Sequence, residues 1–242
     1  MEDYKVKTSK EQLSILKVAI MDYEDIVYKQ DIYTVLSKYC FNGYARLKRD
    51  FKYGDIEGNW INAIEGTIAA TVKELETTVM EKKIKKAINN EIQEIYDRIN
   101  GAIENEEEEV QFYLTIKQME FLWHVCDTMC RVICGQSSTI ASILMEAWSN
   151  LHQYDTEEYC NVRSRINVHC NILHKLCFNF ADNCYNGIGY DDDSDCLFDM
   201  CQVFRHVVWE TKPEDKRTQY TTDAFPAHMT SKKYNLITVN KN

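Results

Sequence analysis

Residues 61–103 read INAIEGTIAATVKELETTVMEKKIKKAINNEIQEIYDRINGAI, and their spacing decides the fold class. Apolar side chains stand at Ile61, Ile64, Ile68, Val72, Leu75 and Val79, then at Ile84, Ile88, Ile92, Ile95, Ile99 and Ile103. Nearly all are three or four apart, the period of one helix face. As one continuous helix the stretch spans about 64 Å at ~1.5 Å per residue, longer than a compact domain needs. It therefore either projects as an arm or breaks, with Asn89-Asn90 the expected break. An arm would make the isoleucine stripe of residues 61–103 a seam for a homo-oligomer. A break makes it a core helix pair, the reading favoured because charges do not pair cleanly at the flanking heptad positions.

Upstream, Leu13, Leu16, Ile20, Tyr23 and Val27 recur at helical spacing behind Thr8, Ser9 and Glu11, which places a helix start near Ser9. Residues 32–39 continue the pattern, and Asn42-Gly43, Gly54 and Gly58 mark a connector. Downstream, residues 106–109 read as a solvated linker or helix end. A helix is expected from Phe112 to Cys134, stopped by Gly135, and another over residues 137–151. Asp155 or Thr156 caps a third over residues 157–185, the run Asn186-Gly187-Ile188-Gly189 turns, and Ser194 or Asp195 caps a last one over residues 196–211. Beyond Pro213 the aromatic and β-branched Tyr220, Thr221, Thr222, Phe225, Tyr234, Leu236, Ile237 and Val239 predict extended segments. The fold class is mainly α: a helical bundle with a short extended or β C-terminal tail. Two regions are expected, an N-terminal helical region over residues 1–110 and a C-terminal helical domain with the tail over residues 111–242.

Composition agrees. The chain of 242 residues has only 8 Gly and 2 Pro, with no Pro before Pro213, so it lacks much of the turn chemistry of β-rich folds. Apolar residues make 45% and charged residues 27%, which excludes wholesale disorder. The formal charge is −10, and it lies in the C-terminal part: residues 1–100 hold 16 Lys and Arg against 17 Asp and Glu, the remainder 12 against 21. Such a surface repels a phosphate backbone, so nucleic acid is not expected as a partner. No apolar stretch approaches the ~20 residues that cross a bilayer. The charged opening MEDYKVKTSKEQ is unlike a signal peptide, so a cytoplasmic protein with reduced thiols is expected and its ten cysteines read mainly as small core residues.

Several constellations bear on chemistry. His124, Cys126, Cys130 and Cys134 share a helix, with His169, Cys170, His174 and Cys177 as a conceivable second set for zinc. No knuckle glycine accompanies them, and a buried thiol stripe is the favoured account, so no metal is expected. Asp191, Asp192, Asp193 and Asp195 imitate the start of a calcium loop, but Cys196 stands where glycine is required and Gln202 where a bidentate glutamate is required. The run serves better as negative charge at a helix start. The sequence holds no P-loop, Gly-x-Ser-x-Gly elbow, His-Glu-x-x-His or Gly-x-Gly-x-x-Gly, so no cofactor and no catalytic residue is assigned. The turn after Gly135 is the strongest binding candidate: main-chain N–H groups of Gly135, Gln136, Ser137 and Ser138 beside hydroxyls form an anion cradle, Arg131 adds a fork one turn upstream, and Arg205 and His206 converge from another helix. An ordinary capped turn, with Arg131 in an ion pair, is the competing account.

The segment with Thr115, Lys117-Gln118, Arg131 and Gly135-Gln136 resembles the "Leu-Thr-x-x-Gln … Arg-Ile-x-x-Gly-Gln" helix of a group of small uncharacterised bacteriophage and prophage proteins. Gly187-Ile188-Gly189, the run Gln202-Val203-Phe204-Arg205-His206, and the tail with Asp223, Pro226 and Leu236-Ile237 are similar to that group's "Ile-Arg-His" helix and extended tail. The resemblance covers residues 112–239. It implies a phage-type origin and action in an infected bacterial cell, and it implies no activity. The expectation is a cytoplasmic anti-defence binding protein without turnover, which sequesters a small anionic ligand such as a nucleotide. The alternatives are docking on a host protein, or a nucleotide or metal-dependent hydrolase.

Overall fold

The computed structural model describes residues 3–27, 31–51, 57–76, 82–104, 108–136, 139, 156–178, 189–219 and 221–241. Among them are seven α-helices and one three-stranded sheet, so the chain is mainly α. In order these are β1 (Tyr4–Ser9), α1 (Lys10–Val27), α2 (Ile32–Phe51), α3 (Glu57–Glu76), α4 (Lys82–Ile103), β2 (Glu109–Leu114), α5 (Ile116–Ile133), α6 (Thr156–Cys177), α7 (Asp192–Glu210) and β3 (Thr238–Lys241). The isoleucine-rich stretch forms two helices, α3 and α4. Asn89-Asn90 lies inside α4 and does not break it. Asn costs a helix only a few tenths of a kcal/mol, and burial of Ile92, Ile95 and Ile99 on one face more than offsets that. Ile64, Ile68 and Val72 of α3 are buried too, while Ile61 and Ile103 are half-buried, so most of the described stripe serves as core. The helix expected over residues 137–151 lies outside the described residues, apart from Thr139.

The sheet has strand order β2-β1-β3 and is antiparallel throughout. β2 corrects the expectation of a helix beginning at Phe112. Val110, Phe112 and Leu114 are buried while Glu109, Gln111 and Tyr113 are exposed, a period of two. β1 alternates likewise, burying Tyr4, Val6 and Thr8.

Each of these strands runs directly into a helix of 18 residues through the same device. At α1 the Ser9 hydroxyl accepts from the Gln12 N–H at 3.2 Å and the Gln12 side chain accepts from the Ser9 N–H at 3.1 Å. At α5 Thr115 and Gln118 exchange the equivalent bonds at 3.3 and 3.0 Å. These are capping boxes, and each satisfies one orphan N–H of the first helical turn. Superposing Ser9 on Thr115 brings Val6 onto Phe112, and those two residues face each other across the ladder. The two β-α segments are thus related by a local pseudo-dyad through the Val6–Phe112 pair.

The chain forms two compact units, each drawn from discontinuous stretches. The first comprises residues 1–21, 86–130 and 186–242, the second residues 22–85 and 131–185. A single boundary near residue 110 would fall inside the first unit, where β1 pairs with β2 and β3. In this unit the inner sheet face meets helices around Val6, Leu13, Leu16, Phe112, Met200, Phe204 and Ile237. In the second unit α2, α3 and α6 pack on one another. The Trp60 indole N–H donates to the Leu176 carbonyl at 2.9 Å. Phe178 lies against both Gly43 and Gly135, at positions where an added Cβ would stand 2.6 and 2.4 Å from its ring.

Candidate ligand-binding site

The C-terminal tail lines a cleft of the first unit, and α7 holds that tail in place. Asp191 caps α7 by accepting from the Ser194 N–H at 2.7 Å, so the acidic run serves a helix start as expected, one turn earlier than Ser194 or Asp195. One turn further, Asp195 accepts from the Gly189 N–H at 2.6 Å. Burial, followed by the charges of Asp199, Asp191 and Asp192, raises its carboxyl above the usual range against the lowering effect of that bond. Asp199 is buried and accepts from the Thr230 N–H at 2.9 Å, the Ser231 N–H at 3.0 Å and the Thr230 hydroxyl. Gln202 donates to the His228 carbonyl at 3.1 Å and accepts from its N–H at 3.3 Å. The Ser231 hydroxyl then accepts from the Tyr234 N–H at 3.0 Å, and Gln12 of α1 donates to the Asn235 carbonyl at 2.7 Å. An extended segment has no helical partners for its peptide groups, and these side chains supply them.

Held there, residues 233–238 close a cleft of about 680 Å³ against the end of β1, the start of α1 and the start of β2. Its lining includes Lys7, Lys10, Glu11, Glu108, Glu109, Lys233, Tyr234, Asn235 and Thr238. Lys233 is committed: it donates to the Tyr234 hydroxyl at 2.7 Å and pairs with Glu11 at 3.3 Å. The hydroxyl first and then the carboxylate hold its ammonium above the usual lysine range. Lys7 and Lys10 make no ion pair among the described residues, and neither do Glu108 and Glu109. Among the described residues the cleft thus offers two ammonium groups and two carboxylates outside any ion pair. Sequence reasoning missed it. The signals present were the alternation Tyr4, Val6, Thr8 and the Ser9-x-x-Gln12 spacing.

The residues singled out beforehand divide between the two units. Arg131, Gly135 and Gln136 belong to the second, Arg205 and His206 to the first, and Ser137 and Ser138 lie outside the described residues. Gly135 ends α5 with a φ of 89°, as expected of a stop glycine. Its N–H donates to the Val132 carbonyl at 3.0 Å and the Gln136 N–H to the Arg131 carbonyl at 2.8 Å. This is a Schellman closure, and it occupies two of the four amides expected to line an anion cradle. The Gly135 carbonyl meets the His174 ring at 3.2 Å. On α7, Arg205 lies 3.6 Å from the Asp223 carboxylate. His206 sits 3.1 Å from the Asp223 carbonyl and 3.6 Å from Glu210, stacked on Trp209. Both therefore have partners within their own unit.

The thiols of the sequence's zinc candidate are buried. Cys130 and Cys134 donate to carbonyls one turn back, each at 3.2 Å. Burial first, then Cys201, Cys130 and Cys196 nearby, push the Cys126 thiol up, and burial pushes Cys196 up to about 12. Among the described residues no three His, Cys, Asp or Glu side chains converge as a metal site would require. No helix among the described residues is long and apolar enough to cross a membrane. Compared with protein-family models, with curated proteins and with solved structures, the chain matches none.

Proposed function

We propose that this chain is a binding protein without turnover, which sequesters a small phosphate-bearing ligand of the nucleotide class and so interferes with a defence system of an infected bacterial cell. The cleft between the tail and the start of α1 carries this reading. Its size falls within the usual range of small-molecule sites. Lys7 and Lys10 offer positive charge to a phosphate, while Glu108 and Glu109 accept hydrogen bonds from ribose hydroxyls or an exocyclic amine. A mixed lining of this kind suits a ligand with an anionic end and a donor-rich end. The infected-cell setting rests on the resemblance of residues 112–239 to phage proteins.

The test is thermal stabilisation by pyrophosphate and by linear and cyclic nucleotides, with recovery of the ligand afterwards. A ligand at 100 times its Kd adds about 2.7 kcal/mol. The expected result is a shift of several degrees, lost in the Lys7→Ala/Lys10→Ala variant and kept in Arg131→Ala, with the ligand recovered intact. No shift with any probe, or a shift indifferent to both lysines, overturns the site. A converted ligand overturns the absence of turnover.

A further inference from the structure

The pseudo-dyad makes β1 and β2 equivalent strands, yet among the described residues only β1 has a strand on its outer edge. On β1 that edge pairs with β3, Lys5 opposite Asn240 and Lys7 opposite Thr238. The equivalent positions on β2 are Gln111 and Tyr113. Arg98 donates to the Tyr113 carbonyl at 2.6 Å, which marks Glu109, Gln111 and Tyr113 as the residues whose backbone groups point away from β1. Among the described residues no strand pairs with them.

The two edges of this sheet also differ in protection. β3 is four residues long and ends in Asn240-Lys241, a short, charged edge of the kind that resists pairing. β2 is six residues, Glu-Val-Gln-Phe-Tyr-Leu, with no Pro, Gly or Lys. Half of it, Val110, Phe112 and Tyr113, is strand-forming, and among the described residues Arg98 meets one of its outward carbonyls, which has a second lone pair to offer.

From this edge we infer that two copies of the chain pair through β2, antiparallel about Gln111, into a continuous six-stranded sheet. The segment is self-complementary in that register. Gln111 faces Gln111 of the second copy, Val110 faces Phe112 on the buried side, and Glu109 faces Tyr113 on the open side. No carboxylate opposes a carboxylate. Each Glu109 arrives beside the Arg98 that holds Tyr113 of the other copy, so opposite charges meet twice across a closed two-fold contact.

The test is the mass in solution by light scattering, across concentrations from about 1 to 100 μM. The expected wild-type mass is twice the 28.5 kDa of the chain. Gln111→Pro removes an outward N–H without touching the β1 ladder and should give a folded monomer. Gln111→Lys, which sets like charges opposite each other, should do the same and guards against misfolding of the proline variant. In a Cys160→Ser background, which removes the exposed thiol among the described residues, Gln111→Cys should form a covalent dimer on oxidation by a small-molecule disulfide. A wild-type chain that stays at 28.5 kDa throughout overturns the inference, and so does a dimer that survives both the proline and the lysine variants.

Discussion

Val6 on β1 and Phe112 on β2 stand opposite each other on the buried face of the sheet, each the counterpart of the other under the local pseudo-dyad. From this pair β1 leads into α1, whose start lines the cleft, and β2 into α5. Phe112→Ala should cost about 3–5 kcal/mol and Val6→Ala roughly 2 kcal/mol, from lost burial and the cavity left behind. Because the two share one cavity, the double variant should lose less than the sum, as read from denaturant midpoints at unchanged slope.

Gly135 should tolerate no side chain. Its φ of 89° disfavours any L residue, and an added Cβ would stand 2.4 Å from the Phe178 ring. Gly135→Ala is expected to cost roughly 3 kcal/mol. In a Phe178→Ala background the overlap is gone and only the backbone strain remains, about 1 kcal/mol. Gly66, exposed in α3 with nothing within 4 Å of an added Cβ, supplies the contrast. Gly66→Ala should stabilise by about 0.5–1 kcal/mol.

Asp199 holds the tail through two backbone N–H groups and a hydroxyl. Asp199→Ala leaves those donors without their acceptor and should cost roughly 3 kcal/mol. The sharper readout is hydrogen exchange. Amides of residues 228–241 should lose protection together, while those of α5 keep theirs. Asp199→Asn retains one acceptor oxygen and should fall between wild type and the alanine variant.

Asp195 carries a pH dependence of opposite sign to the usual carboxylate. Its folded-state pKa lies above the ordinary 3.8 because burial and neighbouring carboxylates oppose its charge. The ionised form therefore costs stability at neutral pH, and the cost fades as pH falls through the raised value. Asp195→Asn keeps an acceptor for the Gly189 N–H and sheds the charge. It should melt higher than wild type at pH 7, and the gap should narrow as the pH is lowered toward 3.8.

Much of the helical architecture was legible because a helix face is a local period. The start of α1, the stop at Gly135, the helical character of residues 61–103 and the extended tail follow from spacing and caps, while α7 starts one turn before the expected cap and Asn89-Asn90 does not break α4. β2 was not legible. Its six residues sit beside an acidic run, and the alternation of Val110, Phe112 and Leu114 is too short to outweigh the helical pattern that follows. The cleft was illegible for the same reason, since Lys7, Glu109 and Lys233 are far apart in the chain and met only when β1 paired on both sides.

The sequence by itself determined the secondary structure wherever neighbours three or four apart decide it: the isoleucine faces, the Ser9-x-x-Gln12 and Thr115-x-x-Gln118 caps, and the left-handed turn at Gly135. Those preferences act within one or two turns of chain and are present before any folding. Tertiary structure alone decided what the polar groups are for. Arg205, legible as one arm of an anion cradle, turns to Asp223. Lys7 and Lys10, ordinary surface charges in the sequence, come to line a cleft with Glu108 and Glu109. Whether a charge is committed or free depends on which distant partner folding brings within a few ångströms, and local spacing carries no record of that distance.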